Sequence, residues 1–193
     1  FHGVLGLEQI PRITAQLFTI FVFLVIVNSI NFIDGIDGLA ITEVIKIIAI
    51  FEFLNSSYSN LLVLGVIIVV SLLPLYFFNY KKNKKIFLGD AGSLFLGTLV
   101  AIYAFDFLGS DYSLYLTLNK PFLSIIVLLY PLTDLLRVFI IRIKNKKSPF
   151  QPDNNHLHHI LLRKGFSHFA ISIILPFGFS IIGYLFILLY SLN

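Results

Sequence analysis

The chain contains no cysteine, no methionine and no tryptophan. Without cysteine there is no disulfide and no thiolate metal site, and cysteine usage says nothing of the redox compartment. Without tryptophan, an aromatic belt at a membrane interface has to be built from tyrosine and phenylalanine. Charge is scarce too. Asp, Glu, Lys and Arg make up 12% of the 193 residues, against 58% hydrophobic, and the mean hydropathy is +0.92. That balance excludes an ordinary soluble domain and fits a polytopic membrane protein. The net charge of +4 does not point to nucleic acid, because the basic residues sit in short loops between apolar runs, as cytoplasmic loops do. No signal peptide is legible: the stretch before Arg12 is short, mixed and followed by a full-length apolar run. The chain opens on Phe1, and we expect it to be part of a longer protein.

A helix needs about 20 apolar residues to cross hydrocarbon about 30 Å thick. Six runs approach that length: 13–33, 39–54, 60–78, 91–108, 121–142 and 169–190. The expected fold is all-α, a polytopic helical bundle of about six transmembrane helices forming one domain over 1–193. The second run is short and carries Glu43, Lys46 and Glu52. We expect it to be buried in the bundle or only partly spanning, with Glu43 and Lys46 paired on one helical face. Pro74 is expected to kink the third run. Asp134 and Arg137, three apart, are expected to pair inside the fifth, and Asp106 to be interfacial.

The loop 79–90 carries Lys81, Lys82, Lys84 and Lys85, and the loop 143–168 carries Lys144, Lys146, Lys147, Arg163 and Lys164. Two spans separate these loops, so they share a side, and the positive-inside bias makes that side cytoplasmic. Counting back two more spans puts Asp34 and Asp37 there as well. The opposite loops, 55–60 and 109–120, carry only Lys120 as a cation.

Three segments on that side carry chemistry. The first is Asn28-Ser-Ile-Asn31-Phe-Ile-Asp34-Gly-Ile-Asp37-Gly-Leu-Ala. Two carboxylates, two amides and a glycine-relaxed backbone suit a hard cation such as Mg²⁺ and its phosphates. A plain helix end with Asp-Gly turns is an equal alternative. The second is Phe87-Leu-Gly-Asp90-Ala-Gly-Ser93, opening the fourth run. It could hold a phosphate and its cation, or Asp90 could simply cap the helix. The third runs from Ser148 through His156-Leu-His158-His159 to Arg163. Helical spacing pairs His156 with His159 and turns His158 elsewhere. Imidazoles with Arg163 and Lys164 suit a diphosphate better than zinc.

In this order the three segments resemble the polyprenyl-phosphate N-acetylhexosamine-1-phosphate transferases, integral membrane enzymes with cytoplasmic active sites. Ser148-Pro-Phe-Gln-Pro-Asp-Asn-Asn-His-Leu-His-His resembles the N-acetylglucosaminyl branch. The peptidoglycan translocase branch, the alternative, runs three His together. The family also carries an Asp-Asp-x-x-Asp motif in an earlier loop, and this chain has no Asp-Asp pair.

The resemblance implies transfer of a sugar 1-phosphate, N-acetylglucosamine 1-phosphate by branch, from a UDP-sugar to undecaprenyl phosphate in a bacterial inner membrane, releasing UMP. It implies Mg²⁺, or Mn²⁺ in its place, on Asp90 with Asn31 and Asp34. Asp34, Asp37 and Asp90 would be catalytic. Asn28, Asn31, Phe87, His156, His158, His159 and Arg163 would bind substrate, with Phe87 against uracil. Partners would be the UDP-sugar and the lipid, no nucleic acid, with a homodimer compatible with both. The second pKa of a phosphate monoester is about 6, so the lipid phosphate is already ionised at neutral pH and needs no base. A membrane ion or metal transporter is the rival from another class, but it expects ionisable residues at mid-span rather than at helix ends. A purely structural membrane subunit leaves the three motifs without a purpose.

Overall fold

In the computed structural model the described residues are 11–55, 60–110, 120–149, 151 and 153–191. The stretch before Pro11, most of the two opposite-side loops, and Phe150 and Pro152 of the histidine segment lie outside them. Eight helices follow in order: α1 (Arg12–Ile33), α2 (Leu39–Leu54), α3 (Leu62–Asn79), α4 (Gly89–Gly109), α5 (Lys120–Val127), α6 (Leu129–Lys144), α7 (Leu157–Arg163) and α8 (His168–Ser191). No strand occurs among the described residues. Helix is what long apolar sequence must form where no water can satisfy the backbone. The outer faces are apolar and uncovered, with Ile13, Val63 and Leu189 at 72%, 72% and 64% exposure, as expected of surfaces that meet lipid.

The count of six crossings needs correction. Among the described residues four helices are long and apolar enough to cross a membrane: Arg12–Ile33, Leu62–Asn79, Gly89–Gly109 and His168–Tyr190. The fifth run is not one helix but α5 and α6, bent by 75°, and together they make a fifth candidate. The bend has a local cause. Pro131 cannot donate to the carbonyl four residues back, and its ring crowds that carbonyl. That residue is Val127, the last of α5. By contrast α3 continues through Pro74 and α8 through Pro176.

The second run forms a helix of 16 residues, about 24 Å at 1.5 Å per residue, short of the hydrocarbon thickness. It is the central element: Leu39, Val44 and Ile47 are fully buried. Glu43 and Lys46 do pair, at 2.8 Å, with side chains 0% and 4% exposed. Each thereby satisfies the other's charge inside the core. Around α2 pack α4, α8 and α3, while α1 lies along α4. That last approach is close enough that a Cβ at Gly97 would come within 2.8 Å of the Val27 carbonyl oxygen, the small-residue contact typical of membrane helices.

Contacts sort the loops between the two ends of the bundle. At one end the α1–α2 loop meets Asn79, Lys85, His158 and His168. At the other, Asn55 reaches Asp106 at 3.3 Å and Lys120 reaches Ser110. The three motif-bearing segments therefore share one end.

Candidate active site

The last turn of α1 and the loop after it supply the first wall. Asn31 Nδ2 donates to Ser93 Oγ at 2.8 Å and to Asp90 Oδ1 at 3.4 Å. This ties the end of α1 to the start of α4, whose entry residue Gly89 has φ +66°, a conformation open to glycine. Asp90 stands exposed in the first turn of α4, above the fully buried Ser93. Asp34 is half-buried. Burial, then the charge of Asp90, pushes its carboxyl up to about 7. Asn28 is set apart, its amide donating to its own helix at Leu24 O, 2.7 Å away.

The second wall comes from α6, α7 and the segment joining them. A cavity of about 220 Å³ lies between the walls, lined by Asn31, Phe32, Asp34, Gly35, Arg142, Asp153, His156, His158 and His159. Arg142, 3% exposed, grips Asp153 with Nε at 3.0 Å and Nη2 at 3.2 Å. This fork holds the Asp153 carboxyl well below the usual carboxylate range. Asn155 adds its backbone N–H at 3.1 Å and its side-chain amide at 3.0 Å.

All three histidines face this cavity, which corrects the expectation from helical spacing. His156 is the N-cap of α7, with φ −59° and ψ 151°. It precedes the helix, so the 3.6-residue period does not govern its direction. Its ring stacks on that of His158, centroids 5.4 Å apart and planes 13° apart. His159 lies 4.3 Å from His158, centroid to centroid. His158 is fully buried, and neither of its ring nitrogens has a partner among the described residues. Burial first, then neighbouring His159, lowers its pKa to about 3. His159 is lowered by the same burial and by His156. The close fit requires Gly35, where any Cβ would run into His158 Nε2.

A second correction concerns Asp134 and Arg137, which do not pair. Asp134 Oδ2 lies 2.7 Å from His156 Nδ1, and Oδ1 accepts the Leu157 N–H at 2.8 Å. Arg137 donates to the Asn155 carbonyl. Both side chains are taken by the segment folding over α6, a tertiary contact that outcompetes a pair three residues apart.

Asp37, expected beside Asp34, does not line the cavity. Lys85 Nζ is 2.6 Å from its carboxylate, and His168 Nδ1 is 2.9 Å from Oδ2. Tyr80 Oη lies within hydrogen-bond distance of both the Asp37 carbonyl (2.8 Å) and Ser172 Oγ (2.7 Å). Gly38, at φ +73°, donates its N–H to Asn79 Oδ1 at 2.6 Å. Phe87 is 69% exposed with Lys85 Nζ 4.9 Å from its ring centre, outside the cavity lining. Arg163, also outside it, donates to Asn154 O at 2.9 Å.

Sequence reasoning singled out neither Arg142, which ends the run 121–142, nor His168, and counted Lys85 only as loop charge. It flagged Asp134 through the cost of an ionisable group in a membrane helix, and named the wrong partner. Among the described residues no three His, Asp or Glu side chains are grouped to cage a metal ion. The carboxylates of Asp34 and Asp90, near enough that the charge of Asp90 raises the Asp34 pKa, and the Asn31 amide still fit Mg²⁺. That ion keeps water and takes one or two carboxylates plus substrate phosphate.

An acidic wall facing an imidazole and guanidinium wall, at one end of a membrane-type helical bundle, is the layout of a protein that handles a charged ligand at a membrane surface. The chain belongs to a family whose description reads Glycosyl transferase family 4, which its residues 2–108 match. It is 38% identical over 120 residues to the Bacillus subtilis (strain 168) "Probable undecaprenyl-phosphate N-acetylglucosaminyl 1-phosphate transferase", covering 62% of this chain and 32% of that protein. It is 32% identical over 129 residues to the Mycobacterium leprae (strain TN) "Decaprenyl-phosphate N-acetylglucosaminephosphotransferase", covering 63% and 32%. For the Pasteurella multocida (strain Pm70) "Undecaprenyl-phosphate alpha-N-acetylglucosaminyl 1-phosphate transferase" the figures are 27% over 119 residues, 59% and 32%. The matched stretch thus spans about a third of each relative. No solved structure matches the chain.

Proposed function

We propose that this protein transfers a sugar 1-phosphate, N-acetylglucosamine 1-phosphate on the wording of its relatives' names, from a UDP-sugar to undecaprenyl phosphate. The site would face the cytoplasm at a bacterial inner membrane, since the lysine-rich loops share its end of the bundle. The observation that carries the reading is a cavity in which Asn31 and Asp34 meet Arg142, His156, His158 and His159, with Asp90 at its edge through Asn31.

In this reaction an oxygen of the lipid phosphate bonds to the sugar-bearing phosphorus of the donor, and the bond from that phosphorus to the bridging oxygen breaks. UMP leaves with that oxygen. The obstacle is repulsion between two anions, so catalysis is positioning and charge neutralisation. Mg²⁺ held by Asp90, Asp34 and Asn31 would neutralise diphosphate charge when bound. From the other wall, His156 and His159 offer ring nitrogens to phosphoryl oxygens. Arg142 keeps the loop in place by its fork on Asp153, and Phe32 and the buried His158 exclude water. Asp37 fixes the position of the loop bearing Asp34.

The test is transfer of radiolabel from UDP-N-acetylglucosamine and competing UDP-sugars to undecaprenyl phosphate in membranes expressing the gene product, with Mg²⁺ and with chelator. Label in the lipid phase with release of UMP, lost on chelation, is the expected result. No labelled lipid from any UDP-sugar overturns the reading.

A further inference from the structure

The three imidazoles of the cavity are not equivalent, and the difference lies beneath them in α6. Asp134 is 0% exposed. Its Oδ1 is committed to the Leu157 N–H at 2.8 Å, leaving Oδ2 to His156 Nδ1 at 2.7 Å. The His156 ring is held on two further sides, by the stacked ring of His158 and by the Phe32 ring, edge-on with centroids 5.9 Å apart. With Nδ1 engaged and the ring packed between His158 and Phe32, Nε2 is the ring's remaining polar atom for the cavity it lines.

We infer that Asp134 is a positioning residue: it fixes His156 as the Nδ1–H tautomer, so that Nε2 faces the ligand as the proton-accepting atom and, with a proton on it, as a charged donor to phosphoryl oxygens. The inference rests on the function proposed above. An ionised carboxylate only accepts hydrogen bonds, so Nδ1 must carry the proton. The same carboxylate supports the imidazolium if Nε2 gains one, as carboxylate–histidine pairs do elsewhere. His158 has no such partner among the described residues: it is buried, neither ring nitrogen is bonded there, and it stays neutral. His156 is thus the imidazole anchored by a carboxylate and aimed into the cavity, while His158 is the packing surface that orients it. Asp134 also anchors the start of α7, so the element that carries His158 and His159 is registered by the same side chain.

The test uses the full gene product in detergent or nanodiscs, labelled with ¹⁵N-histidine, with His156 assigned by its absence in His156→Gln. At alkaline pH the expected spectrum of His156 has Nδ1 protonated and Nε2 bare. Asp134→Asn is nearly isosteric. Its carbonyl can keep the Leu157 N–H while its amide donates to Nδ1, which forces the Nε2–H tautomer. Turnover of sugar-phosphate transfer should then fall about 10- to 100-fold with the unfolding temperature close to wild type. A bare Nδ1 in the wild-type protein overturns the inference whether or not the variant folds. An inverted tautomer with unchanged turnover also overturns it. If the wild-type protein transfers no sugar phosphate at all, the proposed function fails, and the tautomer measurement still decides the Asp134–His156 pair by itself.

Discussion

Asp34 and Asp37 lie three residues apart in one loop, yet they belong to two different kinds of surroundings. Around Asp37 the polar groups are engaged: Lys85, His168, Tyr80 and Asn79 bind its carboxylate, its backbone or that of Gly38. Around Asp34 the groups are left open. Its carboxyl feels the charge of Asp90, and His158 across the cavity has two ring nitrogens without a partner among the described residues. Buried polar groups are nearly always bonded, so a saturated cluster reads as scaffold and an unsaturated one as a place for a ligand. The same loop serves both, and the rigid half holds the open half in position.

The sharpest way to break this contrast is Asp90→Asn. If the cavity side is where charge is managed, radiolabel transfer should drop by about 10²- to 10³-fold or vanish, with the unfolding temperature held. Wild-type transfer would remove Asp90 from the site. Next comes Gly35→Ala. Its Cβ collides with His158 Nε2, and displacing the imidazole by about 1 Å should cost on the order of 10²-fold in kcat/KM. An unaltered kcat/KM would mean that His158 does not need to stay where it is.

On the clamp side the expected balance is reversed. Tyr80→Phe removes the hydroxyl near the Asp37 carbonyl and Ser172. It should cost about 1 kcal/mol in thermal or denaturant unfolding and leave transfer within a few-fold of wild type, roughly what loss of one hydrogen bond outside the site allows. A collapse of activity without loss of stability would place Tyr80 in the chemistry. The smallest effect is a pH slope. His158 resists protonation down to about 3, against an ordinary 6.5. Between those values the unfolded chain binds the proton and the folded one does not, so stability falls as pH drops below about 6.5. His158→Gln should flatten part of the acid-side decline in unfolding temperature, and an identical slope in wild type and variant would contradict this.

Much was legible from the residues alone. Apolar runs of this length fixed the helices because a helix satisfies every backbone group within its own segment in hydrocarbon. The lysine distribution grouped the three motif segments at one end, and contacts such as Asp37–Lys85 and Gly35–His158 place them there. Even the Glu43–Lys46 pair followed from spacing, since both residues belong to one continuous helix.

Other features were decided only by the folded chain. Periodicity carries direction just as far as a helix runs, so it misread His156, which caps α7 instead of joining it. Apolar length alone joined α5 to α6 across the break that Pro131 imposes. Local spacing offered Asp134 the neighbour Arg137, but the segment after α6 brought His156 and Leu157 closer. Which carboxylate stays open and which is clamped depended on Lys85, 48 positions from Asp37, and His168, 131 positions away. Composition and short-range pattern thus determined the elements and the side on which polar residues gather. Partner choice among those residues was set by tertiary packing, because hydrogen bonds depend on distances of a few tenths of an ångström that no linear pattern encodes.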